Sequence, residues 1–321
     1  MKLGNLIDAF QPAKGPPPQQ LGGFLRWVLA GAWPMLFLAA AISAFAGAME
    51  AGTAFFLGLV IDTALASGPD AFFSSGNILV ILGALGFFML VRPVLFGLSA
   101  ASNAIIVQPN VNPLVLSRLN RWTLGQSVRF FDDDFAGRIA QKQMQTASAV
   151  TSVATEMINV VAFALASLLG SLALLGAIDS RITLLFLIWL VGYFALIRWF
   201  LPRVRQRSGK RAGARAMVSG QVVDSITNIK TVKLFAHATH EERSAQDAMA
   251  KFRDTALDFG YLAASFRFCL MTLAGLLPVL LIGATLLLWR NGMASEGDIV
   301  AAGAVSIRIA QMTGWVSFTL M

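Results

Sequence analysis

Charge is what this chain has least of. Only 13% of its 321 residues are Asp, Glu, Lys or Arg, where soluble domains carry about a quarter. With 56% hydrophobic residues and a mean hydropathy of +0.68, the chain reads as an integral membrane protein whose first partner is the lipid bilayer. There is one cysteine, Cys269, set in an apolar run, which excludes a disulfide framework and a cysteine-based metal centre. His237 and His240 are the only histidines. Two such ligands without a neighbouring cysteine make a poor zinc site, so no metal is expected and a solvated helix face accounts for them. A phosphate-cradling Gly-x-x-x-x-Gly-Lys-Ser/Thr loop is also missing. Gly209-Lys210 is followed by Arg211 and has no glycine five residues before Gly209, so no loop of N–H groups and no Mg²⁺-holding hydroxyl is present. No catalytic residue and no bound cofactor is therefore expected on this chain.

What is present is a set of apolar runs. A bilayer takes about 20 apolar helical residues to cross, and six runs qualify, near 31–65, 77–107, 156–178, 182–202, 259–289 and 298–321. Ahead of them, residues 1–30 form a lead-in without the short apolar core and cleavage site of a signal peptide. Gly15-Pro16-Pro17-Pro18 is stiff and unfolded, and Leu21, Phe24, Leu25, Trp27 and Val28 predict a short amphipathic helix on the membrane surface, with Arg26 at the headgroups.

The excess of 25 basic over 17 acidic residues is not a nucleic-acid footprint, because the cations flank the spans. One side holds short connections such as Ala66 to Gly76. The other holds two long segments, about 108–155 and 203–258, which contain Arg118, Arg121, Arg129, Arg138, Lys142, Arg203, Arg205, Arg207, Lys210, Arg211 and Arg215. The positive-inside bias places the long segments and the N-terminus in the cytoplasm, with a bacterial inner membrane as the expected location. Both segments read as helix. Val218, Val222, Ile226 and Ile229 repeat every three or four residues. A helix running from Asn77 to Leu124 would be ~70 Å long at ~1.5 Å per residue, over twice the hydrocarbon thickness, and bent by Pro93, Pro109 and Pro113.

Four short segments carry a family resemblance. They are Gly58-Leu59-Val60-Ile61-Asp62 closing the first span, Phe130-Phe131-Asp132-Asp133-Asp134-Phe135-Ala136-Gly137-Arg138-Ile139 in the first long segment, Thr231-Val232-Lys233-Leu234-Phe235 with Glu241-Glu242-Arg243 in the second, and Gly292-Met293-Ala294-Ser295-Glu296-Gly297-Asp298-Ile299-Val300 opening the sixth span. Their order across six spans resembles the transmembrane domain of ATP-binding-cassette exporters of the half-transporter type, from about Gly23 onward. The resemblance implies an all-α membrane fold of six long helices extending into the cytoplasm, alternating access, and two copies of the chain (or two different halves) per assembly. It implies a nucleotide-binding domain, in cis or in trans, that carries ATP and Mg²⁺. It further implies that each long segment ends in a short coupling helix. Phe130, Phe131, Asp132, Asp133 and Gly137 match the first coupling region, and Phe235, His237, Glu241 and Glu242 the second. The run Ala140-Gln141-Lys142-Gln143-Met144-Gln145 departs from the family's more usual Ser-Arg-rich continuation, and the family's Ser-Gly-Gly signature is missing. The expected reading is that the chain stops within the sixth helix of a longer polypeptide.

Ionisable groups at membrane depth are functional candidates. Counted from the outer ends, Glu50 lies ~24 Å in, Arg92 ~27 Å and Arg308 ~18 Å at ~1.5 Å per residue, depths compatible with one layer facing a central cavity. One reading is a substrate surface of net positive character. The other is a Glu50–Arg92 pair that only joins two spans, since buried charges usually neutralise one another. Tyr193, Tyr261, Thr272 and Gln311 are substrate contacts or helix packing. The alternative function is an ion-gradient carrier built on Glu50, Arg92 and Arg308. Neither an inverted repeat nor a shared helix break favours it.

Overall fold

The computed structural model describes residues 3–73, 76–132, 136–234 and 238–319, and they are almost wholly helical. The helices are α1 (Leu21–Val28), α2 (Trp33–Ala71), α3 (Ile78–Gly86), α4 (Arg92–Ala101), α5 (Gln108–Leu124), α6 (Val128–Asp132), α7 (Ala136–Glu156), α8 (Phe163–Ile178), α9 (Ser180–Thr227), α10 (Ile229–Leu234), α11 (Ala238–Arg290) and α12 (Glu296–Thr319). Three π-helical segments, Phe87–Val91, Ser102–Val107 and Met157–Ala162, join α3 to α4, α4 to α5 and α7 to α8. The chain divides into two units, residues 1–179 with 288–305, and residues 180–287 with 306–321.

Five helical stretches among the described residues are long and apolar enough to cross a bilayer: Trp33–Ala71, Ile78–Leu124, Gly137–Ile178, Ser180–Thr227 and Glu242–Arg290. The sixth expected span, near 298–321, falls in α12, a helix of 24 residues that begins just ahead of it. The long polar segments are thus extensions of the spans themselves. Two π segments stand directly ahead of Pro93 and Pro109. A proline lacks the N–H for the i→i−4 ladder and crowds the carbonyl one turn back. A wider π turn absorbs that misfit without ending the helix. The first span closes at Gly68, whose φ of 74° breaks α2 before Pro69.

In the first unit, α2 packs on α8 through small residues. A β-carbon on Gly47 would collide with the Phe163 carbonyl, and one on Gly170 would lie 3.0 Å from the Ala48 oxygen. Ser43, Ser167 and Ser171 are buried. Close backbone approach of this kind supplies the packing that drives helix association in lipid. A second core gathers Val28, Leu29, Ala32 and Leu36 with Val107, Val111, Leu114 and Val115 and with Ala147, Val150 and Ala154, joining α1, α2, α5 and α7.

The second unit is built on α9 and α11. Trp189 Nε1 donates to the Leu273 carbonyl at 2.7 Å, the Phe200 and Phe266 rings lie 4.8 Å apart, and Arg207 Nη1 donates to the Asp258 carbonyl at 2.9 Å. As the position rises on one helix it falls on the other, so the two run antiparallel. Their 48 and 53 residues correspond to ~72 and ~80 Å of helix.

Candidate functional site: two loop tips, an intramembrane pair and a helix clasp

Both long hairpins end in a short helix. In the first, α5 stops at Gly125, whose N–H bonds the Trp122 carbonyl at 3.2 Å, and the five-residue α6 follows. Phe130 and Phe131 on α6 touch edge to face with centroids 5.3 Å apart, yet they are 41% and 38% exposed. Gly137 is exposed near the start of α7, with open space where a side chain would stand. Asp132 ends α6 and its side chain is outside the described residues, as is Asp133 altogether. In the second hairpin, α9 ends at Thr227, Asn228 bonds back to Asp224 through both its backbone and its side chain, and the six-residue α10 follows. Ile226 (66%), Ile229 (43%) and Leu234 (81%) present apolar surface there. Phe235 and His237 lie outside the described residues. Glu241 belongs to α11 with its side chain undescribed, and Glu242 is exposed and accepts from Gln246 Nε2 at 3.3 Å.

At membrane depth, Arg92 Nη2 and Glu50 Oε1 stand 3.4 Å apart. The pair is lopsided, with the Glu50 side chain 3% exposed and that of Arg92 40%. The Arg92 guanidinium also lies 5.3 Å from the Phe96 ring centroid. The backbone explains how Arg92 arrives here: its N–H bonds the Phe87 carbonyl in an i→i−5 pattern at the end of the π segment, so the bulge ahead of Pro93 sets its direction. Arg308 belongs to the second unit. Tyr193 stacks on Trp189 with centroids 5.7 Å apart and is buried, a packing role, whereas Tyr261 is exposed.

A further cluster was not foreseen as a cluster. The motif closing the first span meets the motif opening the sixth, 235 residues away. Asp62 Oδ1 accepts the Gly297 N–H at 2.6 Å, and Asp62 Oδ2 accepts the Ser295 hydroxyl at 2.7 Å. Ser295 also forms a reciprocal capping box with Asp298, through the Ser295 N–H to Asp298 Oδ2 at 2.8 Å and the Asp298 N–H to Ser295 Oγ at 3.0 Å. A carboxylate against the N–H groups of a helix start is favoured by both hydrogen bonding and the helix dipole. Only glycines fit the crossing. A β-carbon on Gly58 would lie 2.6 Å from the Gly297 oxygen, and one on Gly297 would collide with the Gly58 carbonyl and the Asp62 carboxylate. Beside this clasp, Trp289 Nε1 donates to Glu296 Oε1 at 2.9 Å and holds that carboxyl below its ordinary value, with a backbone hydrogen bond at Glu296 adding to the effect. The Ser-x-x-Asp spacing ahead of an apolar run was the available signal for the cap. Nothing local announced that Asp62 would join it.

The comparisons agree with this geometry. The model of the ABC transporter transmembrane region matches residues 36–303. An uncharacterized ABC transporter ATP-binding protein of Haemophilus influenzae is 30% identical over 306 residues, covering 94% of this chain and 48% of the relative. A bacterial Atm1-family ABC exporter with ATP bound superposes with a TM-score of 0.66 at 15% identity, over 92% of this chain and 50% of that one. The chain thus spans about half the length of each. It belongs to the ABC transporter transmembrane region family and has the fold of an ABC exporter's membrane domain.

Proposed function

We propose that this chain is the membrane-spanning half of an ATP-driven exporter, moving its substrate by alternating access as nucleotide-binding domains close and open on its two hairpin tips. The observation that carries the reading is the form of those tips. Helices of 47 and 48 residues reach far past a bilayer's thickness only to end in α6 and α10, five- and six-residue helices with exposed aromatic and aliphatic side chains. A lone apolar tip held in water is a cost unless a partner covers it, and an aromatic anchor among charges is the usual core of such an interface. The basic flanks orient the tips to the cytoplasm of a bacterial inner membrane. ATP and Mg²⁺ sit on the partner domain, and a second half completes the pathway.

Within the membrane, Glu50 neutralises Arg92 and holds α2 to α4, while the exposed side of the guanidinium remains available to an anionic or amphipathic substrate. Exchanging the two charges separates these roles. Either single reversal is expected to cost ~3–5 kcal/mol, the penalty for stranding a buried charge. The double reversal Glu50→Arg/Arg92→Glu should recover stability but alter substrate choice. Full recovery of both would leave the pair only structural.

Cross-linking tests the main reading. In a Cys269→Ser background, the full-length protein carrying Phe131→Cys and a short thiol-reactive photocross-linker should capture a nucleotide-binding domain, with yield dependent on ATP. Capture of no such domain, or a transport cycle driven by a proton gradient and indifferent to ATP, overturns it.

A further inference from the structure

Residues 1–30 were expected to be a stiff, unfolded lead-in followed by a surface helix. The structure gives residues 3–30 a definite course along α5, the helix that runs straight into the first tip. Asn110 Nδ2 donates to the Gly4 carbonyl at 2.8 Å, Ser117 Oγ to the Ala9 carbonyl at 3.1 Å, and Ile7 is 3% exposed in the α1–α5–α7 core. The hub is Arg118, itself 3% exposed. Its Nε donates to the Gln11 carbonyl at 3.0 Å, Nη1 to those of Trp27 and Val28 at 3.1 and 2.9 Å, and Nη2 to that of Ala30 at 2.8 Å.

Three of those carbonyls belong to the end of α1 and the turn after it, where a helix leaves acceptors unsatisfied and its dipole favours a cation. A planar fork with five fixed donors can serve four acceptors at once, which a lysine cannot. The turn itself is made by Gly31, at φ +84°, and the Gln11 side chain occupies the space a β-carbon would need there. Trp27 Nε1 ties α1 back to the middle of the strap through the Lys14 and Gly15 carbonyls at 3.1 and 3.2 Å. On its other side α5 is tied to α7 by Gln143 Nε2 donating to Thr123 Oγ1 at 2.7 Å.

We propose that residues 3–30 form a strap, locked by Arg118, that stiffens α5 and thereby positions the first tip for its nucleotide-binding partner. Arg118 is a positioning residue, and the strap stays closed through the cycle. The proposal rests on the reading of the tips as coupling elements. A slack α5 would let the tip swing while the partner closes, so the loss should fall on turnover and not on nucleotide affinity.

The test uses full-length protein in nanodiscs and reads ATP turnover. Deleting residues 2–13 should lower kcat about tenfold, within the usual range of coupling effects, and leave KM for ATP unchanged. Arg118→Ala should do the same, and Arg118→Lys should recover part of the loss. A second variant guards against simple misfolding: Ala9→Cys/Ser117→Cys in the Cys269→Ser background, bridged by oxidation, should keep wild-type kcat. An unchanged kcat in the deletion, or turnover abolished by the bridge and restored by reductant, overturns the strap. If the unaltered protein shows no ATP turnover at all, it is the transport reading that fails.

Discussion

The clasp between α2 and α12 and the tip between α5 and α7 are opposite solutions in one polypeptide unit. At the clasp the polar groups partner one another. Asp62 accepts twice, Ser295 and Asp298 cap each other, and two glycines let the backbones touch. At the tip two phenylalanines touch edge to face and remain exposed, and the glycine near them has open space where a side chain would stand. The first arrangement is finished by the chain alone. The second leaves aromatic surface exposed, as the proposed docking of a partner domain requires. The clasp joins the first span to the sixth, whereas the tip joins the second to the third, so the two can be broken independently.

The largest expected effect comes from breaking the clasp. Gly297→Val places side-chain atoms against the Gly58 carbonyl and the Asp62 carboxylate, neither of which can rotate away cheaply. Overpacking of this kind should cost at least ~3 kcal/mol, the upper end of its usual range. Asp62→Ala should cost ~1–3 kcal/mol by leaving the Gly297 N–H and the Ser295 hydroxyl without their acceptor. Thermal unfolding in one detergent measures both. A Gly297→Val protein as stable as the parent would mean the two helix ends are not held together.

The tip should respond in the opposite sense. Phe130→Ala/Phe131→Ala removes exposed rings, so stability should move by no more than ~0.5 kcal/mol, while ATP turnover coupled to this chain drops by tenfold or more, the loss typical of a buried interface anchor. A large loss of stability with turnover intact would reverse the comparison.

How far this was legible in the sequence follows the range of each interaction. The spans could be read from length and apolarity, and the helix irregularities ahead of Pro93 and Pro109 from residue type, because both are local, whereas α5 runs on through Pro113, where a bend was also expected. Short helices at the tips came with the resemblance. The meeting of Asp62 with Gly297 could not be read, since register between helices far apart in sequence is set by packing. Arg118 was read only as a topology-setting cation. Its position in the stripe Val111, Leu114, Val115, Arg118, all buried, was a signal that this arginine faced inward. The π segment Met157–Ala162 has no proline to announce it.

The smallest effect distinguishes the clasp from its rim. Glu296 accepts the Trp289 indole N–H, and its carboxyl is lowered from the ordinary value chiefly for that reason. A group whose folded-state pKa is depressed contributes stability that is present above its unfolded value and is lost as the pH falls through the folded one. Because Glu296 is fully exposed, solvent screens the interaction, and Glu296→Gln should shift the unfolding temperature slightly at neutral pH and not at all in acid. A difference between Glu296→Gln and the parent that grows as the pH falls would count against this assignment. It would mean that protonating Glu296 disturbs Asp62 or the capping box behind it, making the rim part of the clasp.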